Sequence, residues 1–141
     1  MSSATPADVL DRRRHLILNG DADGFAGLFA PDAVIEVPFA GPPGMPVRLD
    51  GREAIRDYAR RVMASPLLLE DLEVAEFYQT QDPEVVVVEM RTTGTVTTTG
   101  RSFTATSIQI LQIREGRIVH FRDFPDPRGL AEAMADPRPG S

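Results

Sequence analysis

The change of pattern at Leu67 narrows the fold most. Before it the chain reads mostly as helix; from Leu67 to Phe124 it reads as strand almost without a break. Leu72 to Gln79 alternates moderately well, Glu84 to Val96 is rich in Val and Thr, and Arg101 to Arg114 is one long alternating strand. Glu115-Gly116 is a hairpin turn, and Arg117 to Phe124 is its partner strand. Strands joined by hairpins pair antiparallel, so an antiparallel sheet with the helices on one side is expected. The fold class is α+β. Long strands in a twisted sheet curl, and three helices closing one side leave a cone-shaped, curved antiparallel or mixed sheet with a central pocket. Such a pocket is where small molecules bind.

The helices have clear boundaries. Thr5-Pro6 supplies an N-cap and a first-turn proline for a helix from about Ala7 to Asn19, stopped by Gly20. Val9, Leu10, Leu16 and Ile17 mark its apolar face. Arg13 and Arg14 fall between them, so one of the two sits at the edge of that face or inside it. Asp21 caps a second helix whose buried stripe is Phe25, Leu28 and Phe29. Val34 to Val37 is a short strand ended by Pro38. The segment 38–46 is a stiff Pro-rich loop, and Asp50 with Glu53 makes a capping-box-like start to a third helix. The apolar face of that helix is Ile55, Tyr58, Ala59 and Val62. A short helix, Arg128 to Met134, follows Asp126-Pro127. The expectation is one domain over residues 1–141, with ends at about 1–5 and 136–141 disordered.

Composition excludes several classes of chemistry. With no cysteine there is no disulfide, thiolate metal site or cysteine nucleophile. The 15 basic residues are all Arg, which rules out Schiff-base and P-loop lysine chemistry. Two histidines leave little for a zinc site, and no metal or cofactor is expected. A formal charge of −6 at pH 7 disfavours nucleic acid and anionic membranes. The sequence has no stretch long and apolar enough to span a bilayer and no recognisable leader, so a cytoplasmic location is expected.

Four blocks then carry a family likeness. They are Asn19-Gly20-Asp21-Ala22-Asp23-Gly24-Phe25, Leu28-Phe29-Ala30-Pro31-Asp32-Ala33-Val34, Gly51-Arg52-Glu53-Ala54-Ile55-Arg56-Asp57-Tyr58, and Arg114 to Phe124 followed by Asp126-Pro127. In this order they resemble the nuclear-transport-factor-2-like superfamily, in its SnoaL-like branch. That branch includes ketosteroid isomerases, limonene epoxide hydrolase, polyketide cyclases and phenazine-biosynthesis A/B-type proteins. By that likeness Val37, Arg13 and about Gln109 occupy the base and oxyanion-hole positions of the isomerases, whose own residues are replaced here. The arginine and first aspartate of the epoxide hydrolase fall near Met90 and Thr92 and are absent. Asp123 matches its second aspartate and the acid of the phenazine-type proteins.

The resemblance makes Asp123 the leading candidate. Strand alternation puts it on one face with Val119 and Phe121, while His120, Arg122 and Phe124 share the other. A carboxylate among apolar neighbours is partly desolvated, its pKa rises, and it becomes a general acid or base near neutral pH. Gln109 would donate a hydrogen bond to a developing oxyanion. A buried Arg13 would bind a carboxylate, enolate or phenolate oxygen. The plainer expectation, which the sequence favours, is that Arg13 snorkels to solvent. Tyr58, Phe25, Phe39, Met90, Phe103 and Phe121 are core or pocket-wall residues, and Phe39 with Met45 would form a lid over the mouth. His15 is expected to face away from the core and Glu36 to point outward.

The expected function is a small-molecule enzyme of bacterial secondary metabolism. It would carry out cofactor-independent acid–base chemistry (isomerisation, cyclisation or epoxide opening) on a mostly apolar substrate. The alternative is a non-catalytic small-molecule-binding or dimerisation domain. The likeness also implies a homodimer through the outer sheet face.

Overall fold

The computed structural model describes residues 4–41 and 47–135. Met45, half of the expected lid, and the terminal segments 1–3 and 136–141 lie outside the described residues. The first helix, α1 (Pro6–Leu18), opens in a capping box. Asp8 donates its N–H to the Thr5 hydroxyl, and Thr5 donates its N–H to the Asp8 carboxylate. α2 (Ala22–Gly27) is capped by Asp21, which accepts from the Gly24 N–H at 2.8 Å. It stops short of Phe29, which opens β1 (Phe29–Val37) rather than completing the helical stripe. Phe29 pairs with Ile118, and the Leu28 carbonyl accepts the Ile118 N–H, so a strand partner distant in sequence outweighs the local helical period.

The sequence gives no sign of β2 (Val47–Asp50), which pairs antiparallel with β1. Its Asp50 does not cap the next helix. The carboxylate accepts from Arg48 Nε at 3.0 Å, and Gly51 holds the N-cap position of α3 (Arg52–Met63) at φ 91°. Glycine takes that left-handed backbone without a steric penalty, and its N–H reaches the Ala33 carbonyl in β1. The strands β3 (Leu67–Gln79), β4 (Val85–Val96), β5 (Arg101–Arg114) and β6 (Arg117–Pro125) follow, and α4 (Arg128–Met134) closes the described chain. Glu115 and Gly116 both have positive φ, the twist a two-residue hairpin requires.

The six strands run in the order β2-β1-β6-β5-β4-β3. All neighbours are antiparallel except β1 and β6, which are parallel, so the sheet is mixed. The main core fills the space between its inner face and α1 to α3. Phe29, Ile55, Leu111, Ile118 and Val88 are fully buried there, and each such side chain contributes about 1.5–3 kcal/mol. A smaller cluster of Val96, Phe103 and Ala133 lies where α4 packs on the sheet.

A bulge resets the phase of β6. Gln112 pairs with His120 and Ile113 with Ile118, which leaves Val119 as the extra residue. The inward set is therefore Ile118, Phe121 and Asp123, not Val119, Phe121 and Asp123. Ile118 is fully buried, while Val119 lines a surface hollow beside Arg114 and Arg117.

Candidate functional site

Register places the central groups. Gln109 on β5 faces Val88 on β4 and Asp123 on β6 as direct cross-strand neighbours, and Met90 faces Ser107 one step along. Their side chains share the inner face of the sheet. From the opposite layer, α1 lowers Arg13 onto them. Arg13 is 3% exposed, which corrects the expectation that it snorkels to solvent. Its guanidinium Nη2 donates to Gln109 Oε1 at 2.8 Å and lies 3.6 Å from Met90 Sδ. The same group sits 5.3 Å from the centre of the Phe121 ring. The neighbouring Arg14 takes the exterior role, donating to Asp71 Oδ1 at 2.7 Å and to the Leu72 carbonyl at 3.0 Å. That clamp fixes the rotation of α1 on β3, and with it the inward aim of Arg13.

Gln109 links the two charges. While its oxygen accepts from Arg13, its Nε2 donates to Asp123 Oδ1 and to Ser107 Oγ, each at 3.5 Å. Burial pushes the Asp123 carboxyl above the usual range. The Gln109 amide, the Arg13 charge and the Ser107 hydroxyl pull it partly back. Burial likewise pushes Arg13 down to about 10, and the Asp123 charge works against that shift. Across the site, α3 contributes Tyr58. Its phenol is raised first by burial and then by the nearby Asp123 charge, with Arg61 opposing. The arrangement supplies a desolvated acid, an amide donor and a buried cation within one inner face.

Two hollows flank α1. An apolar cavity of about 260 Å³ opens among Phe25, Tyr58, Val62, Met63 and Leu69, beside the end of α1 at Ile17. A second hollow, about 490 Å³, lies between the first half of α1 and β3, with Arg13, Met90, Leu72 and Phe77 in its wall. Asp123 lines neither hollow; Tyr58 lines the first and Arg13 the second, and both feel its charge. Among the described residues no three His, Asp or Glu side chains converge as a metal-ligand set.

The remaining expected wall residues separate. Phe25 and Tyr58 line the apolar cavity, and Met90 and Phe121 touch Arg13. Phe103 is buried under α4 in the smaller cluster, away from Arg13. Phe39 is 84% exposed and packs at a tilt against Phe124, at 5.3 Å between ring centres, so it does not cover the inner face. Phe124 lies on the outer face, and that contact carries Phe39 with it. His120 is hydrogen-bonded to Glu36 on the outer face as well, and His15 is exposed. Sequence reasoning missed Ser107, which lies two residues before Gln109 on an alternating strand and so shares its face.

A mixed sheet wrapped on three helices around inward polar groups is the ketosteroid isomerase-like fold of the nuclear-transport-factor-2-like superfamily. Within it, the chain belongs to the SnoaL-like domain family, which matches residues 12–121. It is 35% identical over 127 residues to an uncharacterised PhzA/B-like protein of Pseudomonas aeruginosa, covering 90% of this chain and 88% of that one. A candidate isomerase from Bacillus subtilis shares the structure with a TM-score of 0.82 at 30% identity, covering 91% of each chain. IdmH, a candidate polyketide cyclase from Streptomyces antibioticus, aligns with a TM-score of 0.75 at 26% identity, covering 93% of this chain and 99% of that one.

Proposed function

We propose that the protein is a cofactor-independent acid–base enzyme acting on a mostly apolar small molecule with one or two oxygen functions. The observation that carries this reading is the Arg13–Gln109–Asp123 alignment: a desolvated carboxyl linked through one amide to a buried guanidinium. In its ionised form Asp123 takes a proton from carbon beside a carbonyl, or from a hydroxyl about to attack. The Gln109 amide and the Arg13 charge stabilise the oxyanion that forms. Asp123 then returns the proton to a different atom, which gives isomerisation or ring closure with no net loss or gain. Starting protonated, it instead gives its proton to an epoxide oxygen as that C–O bond breaks and water or a substrate hydroxyl bonds to the carbon, and the proton the nucleophile loses restores the acid. Tyr58, Phe25, Met90 and Phe121 shape the apolar surroundings. The PhzA/B-like and cyclase relatives support a place in bacterial secondary metabolism.

The test is proton exchange. An apolar cyclic β,γ-unsaturated ketone in deuterated buffer should exchange and isomerise with wild-type protein, followed by proton NMR, and should not with Asp123→Asn. Equal rates would remove Asp123 from the chemistry. One observation favours a second reading, a binder without catalysis: Asp123 does not line the apolar cavity. A binder would keep saturable affinity for the ketone in Asp123→Asn and form no product in either protein.

The outer sheet face also supports a homodimer. Ile108 is 49% exposed on β5, and Tyr78 on β3 is exposed on the same face. A paired copy would cover both.

A further inference from the structure

Arg13 has more donors than the Arg13–Gln109–Asp123 alignment uses. Its Nη2 serves both Gln109 and Met90. Among the described residues neither its Nε nor its Nη1 makes a hydrogen bond, and the Nε is closed off from solvent. Leaving a buried charged donor unmet is costly, so such a group is a place where a partner is expected to bind. The same side chain forms part of the wall of the 490 Å³ hollow between α1 and β3.

The rest of that wall fits one kind of occupant. Leu10, Leu72, Val74, Phe77 and Met90 give it an apolar body. Two of its acids are engaged, Asp71 by Arg14 at 2.7 Å and Glu73 by Arg91 at 3.5 Å, and the third, Asp11, is exposed to solvent. Arg14 is engaged by Asp71 and the Leu72 carbonyl, whereas Arg13 is buried and meets no carboxylate among the described residues. We propose that this hollow is a second binding site, for an amphipathic monocarboxylate whose headgroup accepts from Arg13 Nη1 and whose hydrocarbon part lies along Leu72, Val74 and Phe77. A carboxylate oxygen accepts a charge-assisted hydrogen bond from a single guanidinium N–H, and Nη1 has no partner among the described residues. The site lies on the other stretch of α1 from the apolar cavity. It shares Arg13 with the proposed chemistry but does not require Asp123 to be catalytic.

The test compares decanoate with decanol by isothermal titration calorimetry on the full chain. Decanoate should bind, and decanol about tenfold more weakly or worse. Arg13→Gln should weaken decanoate by a similar factor and leave decanol unchanged. Because Arg13 is buried and its replacement can unsettle the fold, Val74→Trp serves as the second variant. Val74 is 38% exposed at the rim, so a larger ring there fills the hollow without entering the core. It should abolish decanoate binding, whereas Met63→Trp, in the wall of the apolar cavity, should not. Loss in Met63→Trp with retention in Val74→Trp would place the ligand in the apolar cavity and overturn the proposal. So would equal affinity for the two probes, or no binding of either. Asp123→Asn should bind decanoate whether or not it turns over the ketone, so a failure of the catalytic reading stays distinct from a failure here.

Discussion

Gln109 and Asp123 are directly opposed across β5 and β6, and the Gln109 amide stands between the Asp123 carboxylate and the Arg13 guanidinium. A direct ion pair would hold Asp123 ionised. The interposed amide lets the Arg13 charge act at a distance, so burial remains the stronger influence and the carboxyl stays above its usual pKa.

That balance has a consequence for stability. A carboxyl whose folded pKa is raised favours the folded state below the unfolded value and loses that contribution as pH rises through the folded value. Asp123→Asn is therefore expected to be more stable than wild type at neutral pH, by at most about 1 kcal/mol. The difference should vanish as pH falls below the ordinary carboxylate range. Urea unfolding at neutral and acidic pH measures it; a variant less stable at neutral pH would contradict the desolvated carboxyl.

Arg13→Met keeps the volume and removes the charge. Arg13 is one of the influences that lower the Asp123 pKa, so the carboxyl should titrate higher in the variant. NMR titration of the carboxyl carbon reads this directly. In the catalytic reading, the limb of the kcat/KM profile that reports ionised Asp123 should move to higher pH with it. An unmoved titration would mean the two charges are not coupled.

Gly94 is a packing constraint. A Cβ there would lie 2.4 Å from the Leu68 carbonyl oxygen and 2.9 Å from the Phe103 ring. The carbonyl belongs to the paired strand and cannot swing away. Gly94→Ala should cost about 1–3 kcal/mol in thermal or urea unfolding. No loss would show that β3 and β4 separate easily.

Ile108 tests the outer face. Ile108→Arg should convert a dimer to a monomer in sedimentation experiments while leaving the unfolding midpoint of the subunit within about 0.5 kcal/mol. A wild-type protein that sediments as a monomer would end the dimer proposal.

Much of the fold was legible in local pattern. Alternation marked β5 and much of β3, and Val and Thr content marked β4; Thr5, Asp21 and Glu115-Gly116 marked ends and a turn that leads into β6, because capping and turn chemistry act within a few residues. The face that Asp123 shares with Phe121 followed from the same period, whereas Gln109 was reached only through the family resemblance. Other features depended on partners far along the chain. Phe29 became strand because Ile118 pairs with it, and Val47–Asp50 became strand because β1 offered an edge. The bulge at Val119 was decided by the register of β5 against β6, which no single-strand pattern reveals.

The sequence by itself determined the helices, the four long strands, the hairpin turn and the carboxylate on the final strand, since these rest on contacts between near neighbours. Only the tertiary structure decided which of two adjacent arginines goes inside. The clamp from Arg14 to Asp71 and Leu72 sets the rotation of α1, and that rotation turns Arg13 inward onto Gln109. Burial of a charge depends on what the opposite layer offers it, and that layer is assembled from strands far away in sequence.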